Sequence, residues 1–371
     1  MIVYNSSNQV DQSGPRVQPL QQPVFIPLNR DMDDMKLLWA YNSSTYLTFV
    51  TNLDIVDTLK HASRTRLVEH ALANPFLMDC ILALTSLHME LTGRQELAVS
   101  HTKSIAYRAR AFEGYRKAVE ASDPATFPAL AACSLLLCAV SAQMFSSDDP
   151  DIRRLYILNW IVVWRGIRLV RNLIPPKLLV DSGLETLFTR PAVDLDLSAV
   201  HIPSNLLFMV TSIKLGEVDF PEVEIYYETL QYLGSLYKEL KENGLNPVLD
   251  LRIITFYTSV PSRFIDLARE RRPRALVIIA HQLSMLKLIG SIWWTAGVCE
   301  PQIQDIWELL GADWEALLRV PRAASKLSDR KDIAKMLLDN NTWETPVHDE
   351  IYKTTPDPRE LWTTMWAFER K

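Results

Sequence analysis

The sequence predicts an all-α fold, and three observations carry that expectation. From Met35 onward apolar residues recur at three- and four-residue spacing, the period of a helix face. Strand-like alternation is nearly absent. Only 11 of the 371 residues are glycine, too few for a turn-rich β fold. Apolar residues make up 48% of the chain, enough for a large core, and no internal repeat divides it. The expected organisation is a disordered Pro/Gln-rich tail over residues 1–30, one large helical domain over 31–321, and a helical C-terminal extension over 322–371.

Each element follows from local signals. Residues 1–30 hold Pro15, Pro19, Pro23 and Pro27 among glutamines, asparagines and serines, and such a stretch buries too little surface to order itself. Asp31, Asp33 and Asp34 crowd before a helix, where carboxylates favour the N-terminal dipole. Asn74 is the expected cap of a helix that Pro75 starts, with the stripe Phe76, Cys80, Leu84, Leu87 and Leu91. A longer amphipathic helix covers 95–121. Residues 127–145, FPALAACSLLLCAVSAQMF, carry no charge and approach membrane-spanning length. Alanine and serine dilute the run, Gln143 interrupts it, and no basic residues flank it. A buried central helix is expected, not a membrane span.

One helix is then expected from Asp149 through Trp160 and Trp164 to the Pro175-Pro176 stop. A break with little periodicity, containing Pro191 and Pro203, covers 175–203. Helices follow at 204–217, 221–243, 247–259 and 261–271. Pro273 starts an enclosed helix, ALVIIAHQLSMLKLIGSIWW, whose polar side chains His281, Ser284, Lys287 and Ser291 share one narrow face. Shorter helices at 300–311 and 313–319 precede the extension with Trp343, Trp362 and Trp366.

Charge and composition exclude several functions. The net charge is -5, whereas nucleic acid binding needs a concentrated basic surface. The basic clusters at 64–66, 269–274 and 322–331 are small and read as solvated helix ends. Specific DNA contact by this chain alone is therefore not expected. Cys80, Cys133, Cys138 and Cys299 read as buried reduced thiols, because no spacing suggests a disulfide framework or a zinc site. His61, His70, His88, His101, His201, His281 and His348 are scattered, with none paired at metal-ligand spacing. No metal and no cofactor is expected. No phosphate loop, dinucleotide fingerprint, hydrolase elbow or metalloprotease helix is present. No secretory signal is visible at the N-terminus.

Several segments resemble a known family. NPFLMDCILALTSLHME at 74–90 is similar to the opening helix of the fungal-specific regulatory domain, an X-Pro-Phe-Leu start followed by an Ala-Leu-Ser-x-Leu-His pattern. His101, Ala111, Phe112 and Tyr115-Arg116 follow in the family's order. WIVVWRGIRLV at 160–170 resembles its Trp-x-x-x-x-Arg-Gly helix. Residues 273–321 reproduce Pro-x-Ala-Leu, Ala-His, Trp-Trp, Gly and Trp-x-x-Leu-x-x-x-Pro in sequence. The relatives are zinc binuclear-cluster regulators, most nearly of the sterol uptake control type. The resemblance implies a helical domain with a deep hydrophobic pocket for a sterol-sized ligand. Two departures stand out: residues 1–50 contain no cysteine for a zinc cluster, and the extension after Pro321 is longer than the pattern implies.

Candidate ligand-binding residues are Phe256, Tyr257, Met285, Trp293 and Trp294. Trp293 and Trp294 end the enclosed helix beside Gly290 and Gly297, and broad aromatic faces with a single donor suit a polycyclic guest. A stripe of this kind also serves plain core packing. Two functions are expected from different classes. The first is a sensor of a small apolar metabolite, sterol-, terpenoid- or polyketide-like, serving secondary metabolism and acting through a protein partner or a homodimer. The alternative is a cofactor-free cyclase of the Diels–Alder type, with His281 or Trp294 polarising a carbonyl. A third expectation is that the chain is part of a longer regulator. The location expected is intracellular, in nucleus or cytoplasm, with no membrane partner.

Overall fold

The computed structural model describes residues 31–49, 56–147, 149–188, 192–289 and 292–346. The tail 1–30, Pro191, Gly290, Ser291, His348, Trp362 and Trp366 lie outside the described residues. Among those described there are helices and no strand, so the all-α expectation holds. One continuous hydrophobic core runs through them.

The N-terminal half is built around α4 (Pro75–Leu91). Before it come α1 (Met32–Ser43), α2 (Val56–His61) and α3 (Leu67–Ala73). The acidic trio is a cap: Asp31 accepts from the Asp33 and Asp34 amides, and Lys103 clamps Asp31 and Asp33. Pro75 does open α4, but Asn74 does not cap it; its amide donates to the His70 carbonyl at 2.8 Å. The next helix, α5 (His101–Ala121), lies close against α4. Gly114 permits this approach, since a Cβ there would stand 2.6 Å from the Phe76 Cβ.

The uncharged segment forms α6 (Phe127–Ala142), followed by a tight turn over Gln143–Ser146. By length and composition 124–145 could cross a membrane, yet 78% of the relevant window is buried inside the protein. Its polar atoms are satisfied locally: Ser134 donates to the Ala131 carbonyl and Ser141 to that of Cys138. It is a core helix, packed between α4 and the tryptophan helix that follows.

That tryptophan helix differs from expectation. Instead of one helix from residue 149 there are two, α7 (Pro150–Arg153) and α8 (Ile157–Leu173). Leu155 between them takes φ +52°. The physical reason is tertiary. The Leu155 amide donates to Asp305 and the Ile157 amide to the Gln302 side chain, both at 2.9 Å, while Gln302 donates to the Arg153 carbonyl at 3.0 Å. A distant helix supplies the hydrogen bonds that a continuous helix would have made.

Among the described residues, the break at 175–203 contains the short helices α9 (Pro176–Ser182) and α10 (Leu195–Ala199). The next, α11, is Ser204–Thr211 and stops before 217. The loop after it is pinned by Arg274, which reaches Asp219 at 2.8 Å and Glu217 at 2.9 Å. The C-terminal half then consists of α12 (Val223–Asn243), α13 (Pro247–Ile254), α14 (Phe256–Ser259) and α15 (Ser262–Arg269). They surround α16 (Pro273–Leu286), which is buried from Ala275 to its end. Finally α17 (Cys299–Leu310), α18 (Glu315–Lys326) and α19 (Arg330–Leu337) pack over it, with α18 running through Pro321.

Candidate functional site

The enclosed helix α16 carries a satisfied set of buried polar groups. His281 Nε2 donates to the Leu317 carbonyl of α18 at 2.9 Å, and its Nδ1 faces the Tyr237 hydroxyl of α12 at 3.3 Å. Burial pushes its pKa down to about 4. The ring is therefore a neutral strut tying three helices together, with both nitrogens engaged, and it has no free donor for a substrate carbonyl. Next to it, the Tyr257 hydroxyl donates to Gln282 at 2.9 Å, and Gln282 donates to the Ile253 carbonyl at 3.1 Å. Phe256 meets Tyr257 edge-on at 5.2 Å. Both are buried, as is Met285.

The tryptophan pair is placed elsewhere. Helix α16 ends at Leu286, not at Trp294, and the chain passes through tight turns at Leu288 and Ile289. Had the helix continued, Trp294 would stand about 12 Å beyond Leu286 along the axis. Instead a short turn, Trp293–Thr295, lies against α4 and α6. Trp293 stacks on His88 at 5.1 Å, and His88 Nδ1 bonds the Thr45 hydroxyl at 2.9 Å. Burial lowers the His88 pKa, with the Arg94 charge adding to the effect.

Trp294 joins an aromatic cluster on α8. Its ring lies 6.0 Å from Trp160 and 6.4 Å from Trp164, which meet each other edge-on at 5.5 Å. Phe145 and Tyr156 extend the cluster. Within it the indoles differ. Trp160 Nε1 donates to the Cys138 carbonyl at 2.8 Å. The buried N–H groups of Trp164, Trp293 and Trp294 have no partner among the described residues. Leaving such a donor unpaired costs about 1–3 kcal/mol.

The five candidates thus fall on three elements, with Met285 buried on α16. Phe256 and Tyr257 pair with each other near α8 and α13, whereas Trp293 and Trp294 face α4, α6 and α8. Trp160 and Trp164 were noted in the sequence only as helix landmarks. Their spacing of four residues puts them on one face, which was the available signal. A recess of about 530 Å³ opens beside Thr295, Ala296 and Gly297, and none of the five candidates lines it. All four cysteines are buried free thiols. Burial raises the Cys133 and Cys138 thiols well above their ordinary range and pushes Cys299 up to about 12. Among the described residues no group of three or more His, Cys, Asp or Glu side chains could hold a metal.

Comparison with known proteins agrees with the resemblance. Residues 43–185 match the family described as the fungal specific transcription factor domain. The chain is also 23% identical over 310 residues to a Zn(2)-C6 fungal-type transcription factor of Gibberella zeae, a match covering 78% of this chain and 61% of that protein. The chain thus spans less than two thirds of the length of this curated relative.

Proposed function

We propose that this chain, which carries a domain of the fungal transcription-factor type over residues 43–185, is a regulatory sensor of a small apolar metabolite. The ligand seat lies beside Trp164 and Trp294. The carrying observation is that these neighbouring indoles, 6.4 Å apart and almost wholly buried, both present N–H groups without a partner among the described residues. A guest with a flat apolar body and one oxygen acceptor would take its own apolar surface out of water and accept from an indole. Both contributions favour binding. Sterols, terpenoids and polyketides have that chemistry, and a product of secondary metabolism is the class we favour. The net charge of -5 and four buried cysteines support leaving DNA contact to a partner protein or a second copy. The site of action in this reading is the nucleus.

The test is titration of the full chain with a fluorescent sterol, comparing wild type with Trp294→Phe, which keeps a ring and removes the N–H. Loss of one hydrogen bond corresponds to about 2- to 10-fold weaker binding, with at most a small fall in melting temperature, since relief of the unpaired donor offsets part of the lost packing. No sterol uptake by the wild type, or the same affinity in both proteins, would overturn the reading.

A further inference from the structure

We propose a second ligand site, in the recess between the end of α16, the residues 295–297, the start of α17 and the last turns of α18, and that it takes a small amphipathic carboxylate. The recess holds about 530 Å³, within the range of pockets that enclose drug-sized ligands. Its floor is apolar: Leu286, Ile289, Ile303 and the protonated thiol of Cys299 are buried beneath it. Its rim is cationic. Lys287, Arg322 and Lys326 line it against the single carboxylate of Glu300, an excess of positive charge on a chain whose net charge is -5.

Two of these cations are held in place before any ligand arrives. The Arg322 guanidinium lies 3.9 Å above the Trp307 ring and is tethered to Glu315 at 2.9 Å. Its Nε is buried without a partner among the described residues. The Lys287 ammonium donates to the Ser325 carbonyl, which uses one of its three N–H donors and leaves two. Lys326 is exposed at the rim. Holding charged side chains in one geometry beforehand lowers the ordering cost of binding.

An apolar floor beside fixed cations matches a ligand with a hydrocarbon body and an anionic head. The body removes floor area from water, and the head receives charge-assisted hydrogen bonds. Glu315 already engages part of Arg322, and Glu300 opposes a second negative charge. Those two carboxylates favour a monoanion over a phosphate dianion. The site is lined by Thr295, Ala296 and Gly297 but by neither Trp164 nor Trp294, and it does not depend on the tryptophan seat.

The test uses cis-parinaric acid, its methyl ester and dodecyl phosphate as probes of the full chain. The acid should bind at least tenfold tighter than the ester and tighter than the phosphate. Lys326→Gln, at an exposed position, and Lys287→Met should each reduce the preference for acid over ester. Ala296→Trp, also at an exposed position, should fill the recess and weaken acid and ester alike, with the circular dichroism spectrum retained. Trp294→Phe should leave binding of the acid unchanged. Equal binding of acid and ester would overturn the proposal, as would tighter binding of the phosphate or full binding by Ala296→Trp. Loss of acid binding in Trp294→Phe would assign the acid to the tryptophan seat and overturn it as well.

Discussion

The two most informative regions, α16 with its polar pairs and the tryptophan turn with α8, both bury aromatic rings but differ in how their hydrogen bonds close. Around α16, both nitrogens of His281 are engaged, and Gln282 bridges Tyr257 and the Ile253 carbonyl. Around the turn, Trp160 is satisfied while Trp164, Trp293 and Trp294 find no partner among the described residues. Burial of an aromatic or a histidine therefore does not mark a site by itself. A network closed on all sides is a structural joint. Buried donors left open carry an energetic cost that another molecule could relieve.

The largest expected effect lies on the closed side. His281→Ala removes a strut and strands the Tyr237 hydroxyl and the Leu317 carbonyl. With about 1–3 kcal/mol for each unpaired group and a cavity in addition, urea unfolding should show a loss of about 3–4 kcal/mol. A loss below about 1 kcal/mol would break the contrast, because α16 would then be no better satisfied than the tryptophan turn.

Acidification should act through the same residue. His281 stays neutral in the folded protein down to about pH 4, against an ordinary value of 6.5. As pH falls through 6.5 the unfolded chain takes up a proton that the folded protein refuses. The stabilisation is complete above about 6.5 and is lost progressively toward 4, by about 3 kcal/mol in all. His70 and His88, also lowered by burial, act in the same direction. Asp250 opposes them: burial raises its carboxyl to about 6, so its folded form gains a proton first and stability rises below that pH. Measuring urea stability across pH 4–7 for wild type and His281→Gln isolates the histidine. The variant should show the shallower slope, and parallel slopes would remove His281 from the account.

How much of this was legible in the sequence follows the same division. Helix starts at Pro75 and Pro273 could be read because proline at the first helical position is a local signal. The break at Leu155 could not, since the groups that replace its helical hydrogen bonds, Gln302 and Asp305, come from the other half of the chain. The end of α16 was missed for a related reason. The apolar run continues to Trp294, whereas the contacts of Trp293 with His88 and of Trp294 with Trp160 are tertiary and leave no local signal. Trp294 was legible as a candidate by residue type. Its unpartnered N–H was not, because hydrogen-bond satisfaction is a property of the assembled core.

The smallest effect gives the sharpest test, because it compares two tryptophans of one helix. Trp160 and Trp164 are both buried on α8, and replacing either by phenylalanine removes similar apolar area. The difference is in the N–H. Trp160→Phe removes the indole donor to the Cys138 carbonyl, which keeps only the Ser141 hydroxyl, adding a lost hydrogen bond to the packing cost. Trp164→Phe removes a donor that has no partner among the described residues, so relief of its desolvation offsets part of the lost packing. Trp160→Phe should therefore be the more destabilising, by about 1–2 kcal/mol. The two variants share a helix, a ring type and a cluster, so errors from the unfolded state largely cancel in the comparison. Equal losses in chemical denaturation would mean that the Trp164 donor is already satisfied in solution. The tryptophan seat would then lose half of the observation on which it stands.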